Sequence, residues 1–197
     1  IPRGADRAGA GPGAMSAPPD YIEPIVGWRT WLVTREGKGF RLRSIVYDAL
    51  WFPRNELVAS CLGRSRALSF PRRRRAEHVP PAGDCGCGIY AARKPEEAAS
   101  YLEGRSWGDA LSVQWAIGTV SLWGRVVECT RGWRASHAYP KAIYVPATHG
   151  PYWLRAERAE EVALALTDYG VPVELLDADS RRPAEVVATL GAGAARG

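Results

Sequence analysis

The sequence predicts an α+β fold: a mostly antiparallel sheet that can curl towards a barrel, two or three short helices, and a loop ordered by zinc. Three observations predict it. Strand-like segments crowd the first half of the chain, and helical periodicity comes only later. Three cysteines and a histidine interrupt the strands at metal-ligand spacing. The composition, 46% hydrophobic and 24% charged over 197 residues, is that of a folded globular chain. At about 150 residues per domain this length fits one domain. Four cysteines are too few for a disulfide-built scaffold, and no apolar run approaches the roughly 18 residues that cross a bilayer.

Residues 1–14, Gly/Ala-rich and lacking a hydrophobic signal core, read as a leader ahead of Met15, to be set aside from the fold. Residues 15–190 then form the single domain, with its metal loop at about 54–88, and 191–197 a disordered tail. With no signal peptide in view, the expected compartment is the cytoplasm, where clustered thiols stay reduced and hold metal.

Val26–Val33 and Gly39–Val46 read as the first two strands, joined by a turn at Glu36-Gly37-Lys38-Gly39. In the second, Phe40 and Leu42 face one way and Arg41 and Arg43 the other. Trp28 and Trp31 are three apart, so in a strand they point to opposite faces. An irregular stretch follows from Trp51 to Cys87, with a short helical turn expected near Glu56–Cys61. A stretch of that length without periodicity needs a metal or a partner to order it.

Cys87–Ala92 reads as a short strand. Lys94-Pro95-Glu96-Glu97 then opens a helix to about Glu103, with proline in the first turn and acids near the positive end of its dipole. Ile117–Cys129 is the longest expected strand, bent at Gly124, and Ala142–Val145 is another. Arg155–Tyr169 reads as a helix whose apolar face is Val162, Leu164, Ala165, Leu166 and Tyr169, ended by Gly170. A strand at Val171–Leu176 and a closing helix at Pro183–Leu190 complete the order.

The most specific chemical signal is Cys61, His78, Cys85 and Cys87. Three thiolates and an imidazole are a tetrahedral set for structural zinc, and sulfur ligands disfavour magnesium or calcium. In an extended chain residues i and i+2 share a face, so Cys85 and Cys87 can address one ion. Glu77 and Asp84 are candidate outer acceptors for the His78 ring N–H. The alternatives are a reactive Cys85/Cys87 redox pair, or thiols with no common role. Cys129 and His137 form a competing pair, either of which could replace Cys61.

Charge gives the second signal. The net charge is +5, lysine occurs only three times, and eleven basic residues against three acidic ones fall between Arg35 and Arg75. That segment therefore carries +8, while the rest of the chain sums to −3. Such asymmetry attracts polyanions, although a solvated charged loop produces it too. Arg64, Arg66, Arg72, Arg73, Arg74 and Arg75 are the candidate phosphate contacts. Gly132–Pro140 reads as an aromatic loop in which Trp133, Arg134, His137 and Tyr139 could stack and hold a base. Against this, eight tryptophans (28, 31, 51, 107, 115, 123, 133 and 153) can equally well pack a small β core.

No G-x-S-x-G, Walker A, G-x-G-x-x-G or H-E-x-x-H string occurs, and no aspartates pair for acid–base work. The reading favours a non-catalytic zinc-stabilised protein that binds DNA or RNA. A thiol or zinc-dependent enzyme is one alternative and an adaptor for an acidic protein partner is the other. No membrane partner is expected.

The strings Gly27–Trp31, His78-Val79-Pro80 with Cys85–Ala91, Leu122–Glu128 and Arg134–Pro140 resemble a group of uncharacterised bacterial hypothetical proteins. The likeness spans most of Ile25–Val173. It implies that the Cys/His loop and the WGRVVE strand belong to one domain, and it carries over no catalytic residues.

Overall fold

In the computed structural model, residues 23–37, 39–46, 49–61, 78–103, 112–148, 156–178 and 183–194 are described. The expected leader lies outside these residues, as does the arginine segment from Arg64 to Arg75.

β1 (Ile25–Glu36) turns at Gly37 into β2 (Gly39–Ser44), and β2 is flanked in turn by β3 (Leu50–Trp51). β4 (Leu57–Val58) crosses to a distant partner, pairing Leu57 with Ala138. β5 (Ile89–Ala92) leads into α1 (Pro95–Ala99) and a 3-10 turn at Ser100–Leu102. Two long strands, β6 (Ser112–Cys129) and β7 (Gly132–Thr148), form an extended hairpin. α2 (Ala156–Leu166), ended by a 3-10 turn at Thr167–Tyr169, carries the chain back to β8 (Val173–Ala178), and α3 (Pro183–Ala194) follows. β8 is parallel to β7, which requires a crossover of the kind α2 supplies. The other pairings among the described residues are antiparallel.

The fold is therefore the expected α+β, with three short helices on an eight-stranded, mostly antiparallel sheet. The sheet forms a partial ring rather than a clear barrel. β1 pairs β6, β6 pairs β7 and β7 pairs β5, but β5 meets β1 through the single pair Trp28–Ala92. The bend expected at Gly124 is a β-bulge: the β6–β7 register shifts between Trp123 and Val126, and Gly124 takes φ 73°.

Two cores lie on opposite faces, as the Trp28/Trp31 spacing requires. Trp31, Val33, Phe40, Leu42, Trp51 and Val162 pack in the larger one, where Trp31 and Trp51 meet edge to face at 5.7 Å. Trp28 and Leu32 pack against the smaller one, with Ala98, Leu102, Ile117 and Val187.

Four expectations are corrected. The Glu56–Cys61 stretch holds a two-residue strand, not a helical turn, because Leu57 and Val58 find free backbone partners on β7. Gly132–Pro140 is not a loop but the first half of β7. Pro140 is tolerated there because the register shifts between Thr119 and Val120, the residue opposite it. Leu164, expected on the apolar face of α2, is 74% exposed; the buried stripe keeps Val162, Leu166 and, in the 3-10 turn that follows, Tyr169, and includes Ala159, the spacing of one helical face. The closing helix also continues to Ala194, four residues past the expected boundary at 190.

Candidate metal centre

The four residues singled out by spacing converge. One ligand atom from each of Cys61, His78, Cys85 and Cys87 lies within 4.8 Å of all the others, so the cluster could hold a metal ion. The Cys61 and Cys85 sulfurs are 3.8 Å apart, and Nε2 of His78 is 3.2 Å from Sγ of Cys87. Tetrahedral bonds of about 2.3 Å to sulfur place neighbouring thiolates about 3.8 Å apart, the separation of the Cys61 and Cys85 sulfurs, and three thiolates with an imidazole suit a tetrahedral metal ion such as zinc. Cys87 is buried, and the other three ligands are partly buried.

The sheet delivers these ligands. β4 pairs with β7, and one step further on the Ala59 N–H donates to the Ser136 carbonyl at 2.7 Å, which brings Cys61 alongside two residues later. Cys85 and Cys87 sit on a tight turn, in which the Cys85 N–H donates to the Ala82 carbonyl, directly before β5. β5 is fixed in turn by pairing with β7 from Ile89–Ala135 to Ala92–Gly132. The backbone N–H of Cys87 donates to the Cys85 sulfur and holds that thiol below its ordinary range, whereas burial pushes the Cys87 thiol up.

Arg134 clasps the turn from below. Its buried guanidinium donates through Nη1 to the carbonyls of Ala82 at 3.3 Å, Cys87 at 3.1 Å, and Cys85. Tyr90, across the β5–β7 ladder from Arg134, donates its hydroxyl to the Gly86 carbonyl at 2.8 Å. Neither was singled out as a holder of this loop. The one signal was an arginine at an inward position of a strand, invisible while the segment read as a loop.

The remaining candidates are dispersed. Arg64, Arg66, Arg72, Arg73, Arg74 and Arg75, and with them Glu77, lie outside the described residues. Asp84 is exposed. Arg134 is committed to the turn rather than to solvent. The Tyr139 hydroxyl donates to the Tyr169 carbonyl at 2.8 Å and accepts from the Arg54 N–H. His137 stacks on Trp123 and shares a 2.8 Å hydrogen bond with Ser136. Trp133 lies beneath the Arg93 guanidinium and borders a pocket. Neither Cys129 nor His137 joins the cluster: the Cys129 thiol faces the Val127 carbonyl. Among the described residues no helix is long and apolar enough to cross a membrane. Comparison with protein-family models, with curated proteins and with solved structures finds no match to this chain.

Proposed function

We propose that this chain is a non-catalytic binding protein of the cytoplasm, stabilised by one structural zinc ion, and that its ligand is nucleic acid. The observation that carries the zinc reading is the four-donor cluster with its 3.8 Å sulfur spacing. Four protein ligands complete a tetrahedron and leave no open position for substrate or activated water, which argues against a catalytic metal. Three thiolates around a divalent cation leave a single net negative charge, and the buried Arg134 guanidinium beneath the turn offsets it. The nucleic-acid reading is supported by charge: a net +5 that is concentrated as +8 between Arg35 and Arg75, a segment that ends just before the ligand His78. A zinc-fixed loop would present such arginines to phosphate at small entropic cost.

The test has two stages. Metal analysis should find about one zinc per parent chain, and Cys85→Ser should lose metal and folded structure together. Binding to a short duplex DNA and to a single-stranded RNA is then titrated from low to high salt. Affinity should fall steeply with salt, and replacing Arg72, Arg73, Arg74 and Arg75 by Gln together should weaken every sequence alike. Affinity indifferent to salt would remove the phosphate-contact reading. Salt-sensitive capture of acidic polypeptides, with neither nucleic acid bound, would turn it into a protein adaptor.

A further inference from the structure

Cys61 and Cys85 are anchored at neighbouring points on one edge of β7, the edge opposite β6. Two residues before Cys61, the Ala59 N–H donates to the Ser136 carbonyl at 2.7 Å. Four residues after Cys85, Ile89 pairs with Ala135, the residue next to Ser136. Strand pairing on both flanks therefore brings these two cysteines together, and their sulfurs lie 3.8 Å apart. A disulfide needs about 2.05 Å between sulfurs, so the pair has to close by about 1.8 Å. A change of side-chain rotamer covers that distance.

Access separates the cysteines of the cluster. Cys61 and Cys85 are partly exposed, whereas Cys87 is buried. The Cys87 sulfur lies 3.2 Å from Nε2 of His78, and its carbonyl accepts from the Arg134 guanidinium. Cys85 stands on a turn whose Gly83, Asp84 and Gly86 are exposed, and a Cβ on Gly83 would meet nothing within 4 Å. A small oxidant in water thus reaches Cys85 before Cys87. A Cys85–Cys87 bridge would also have to close a ring across Gly86 alone and draw Cys87 away from His78. Cys129 lies outside the cluster.

We propose that Cys61 and Cys85 form a redox switch: a two-electron oxidant of the peroxide class joins them in a disulfide and expels the metal. The ion rests on the zinc reading above, and the pairing rests on the sheet. The Cys85 thiolate attacks one peroxide oxygen, the O–O bond breaks, and hydroxide leaves a sulfenic acid on Cys85. The Cys61 thiolate then attacks the Cys85 sulfur, the S–O bond breaks, and a second hydroxide leaves as the S–S bond forms. Each sulfur has lost one electron, each peroxide oxygen has gained one, and two protons turn the hydroxides into water. His78 and Cys87 remain, too few ligands to hold the ion. The bridge keeps the flanks of β4 and β5 joined, so a dithiol reductant restores the pair and zinc can return.

The experiment treats the zinc-loaded parent and Cys129→Ser with a modest excess of hydrogen peroxide. Released zinc is read with a chromogenic chelator, free thiols by titration, and bridges by mass mapping of unreduced peptides. The parent should lose two of its four thiols and its zinc together, with Cys61–Cys85 as the bridge. Dithiothreitol followed by zinc should restore both. Cys129→Ser should release zinc at the parent's rate and to the same extent. A chain that takes up no zinc, yet forms the same reversible bridge, would uphold the sheet-held pair while the zinc reading fails. Zinc retained with its thiols inert to peroxide would overturn the switch and leave the zinc reading intact. A bridge to Cys87 or Cys129 instead would overturn it as well.

Discussion

Arg134 Nη1 donates to the Cys87 carbonyl at 3.1 Å, so a buried side chain of β7 holds the backbone on which two metal ligands sit. Its contacts with the Ala82 and Cys85 carbonyls make it the shared donor for the whole turn. Arg134→Met keeps the length of the side chain but removes those donors. We expect about 2–3 kcal/mol lower stability, from the loss of charged hydrogen bonds to partly buried carbonyls, and metal affinity weakened by about 10- to 100-fold although no ligand is touched. Chelator competition and chemical denaturation measure the two effects. Unchanged metal retention in Arg134→Met would show that the turn holds its shape without it.

Two cysteines should behave oppositely. Cys87 is buried in the cluster, while Cys129 lies outside it, its thiol 3.8 Å from the Val127 carbonyl and beside the Arg134 side chain. Cys129→Ser should keep the full metal content, with stability changed by less than about 1 kcal/mol. Cys87→Ser should lose the ion, and chelating the parent should reproduce the Cys87→Ser melting temperature, because binding energy at such a site is also folding energy. Metal content and thermal melts of both variants decide it. Metal loss in Cys129→Ser would place the ion elsewhere.

How far the sequence could be read depended on the range of each signal. The cluster was legible because Cys61, His78, Cys85 and Cys87 are chemically distinctive and leave few other ways to make a tetrahedral set. The inward alternation of Phe40 and Leu42 was legible because a strand's periodicity is local. Residues 132–140 misled because Gly, Ser, His and Pro usually mark a loop; what makes them a strand is β6, whose long ladder supplies partners that no local pattern announces. The pairing of Leu57 with Ala138 spans 81 positions and left no mark in a two-residue strand. The pocket beside Trp28 and Trp133 could not be foreseen, since it forms only where β1, β7 and the segment after β5 come together.

Gly124 and Gly170 offer a controlled comparison. Both take a left-handed conformation, at φ 73° and 69°, but a Cβ on Gly124 would lie 2.3 Å from Ser136 Oγ and 2.7 Å from His137 Nδ1, whereas one on Gly170 would meet nothing within 4 Å. Gly170→Ala should therefore cost only the backbone term, about 1 kcal/mol. Gly124→Ala should cost about 1–3 kcal/mol more, because Ser136 Oγ, which accepts the Arg125 N–H at 2.9 Å, has to move. Denaturant midpoints of the two variants give the difference directly. Equal losses would mean that the Ser136–His137 pair yields freely and that the bulge is set by backbone preference alone.

Tyr169 ties the end of α2 to the sheet. Its hydroxyl accepts from the Leu42 N–H at 3.0 Å and donates to the Trp51 carbonyl at 2.6 Å, and the side chain is fully buried. Burial raises its pKa from 10.0 to about 12. The folded state therefore keeps this proton where the unfolded chain has lost it. The associated stability is complete below pH 10 and disappears as pH rises to about 12, an effect of about 2–3 kcal/mol. Arg29 acts in the opposite sense over the same window: its folded value of about 10 lies below its ordinary 12.5, so the folded state releases a proton first and gains stability as pH rises. The informative quantity is thus the difference between the parent and Tyr169→Phe. At neutral pH the variant should be less stable by about 1–3 kcal/mol, since the Leu42 N–H loses its acceptor, and the gap should narrow between pH 10 and 12 as the parent loses what the variant never had. Denaturation curves at half-unit pH steps test this. A gap that stays constant to pH 12 would mean that the Tyr169 hydroxyl ionises no differently in the folded and unfolded chains, and that its two hydrogen bonds do not hold the proton in place.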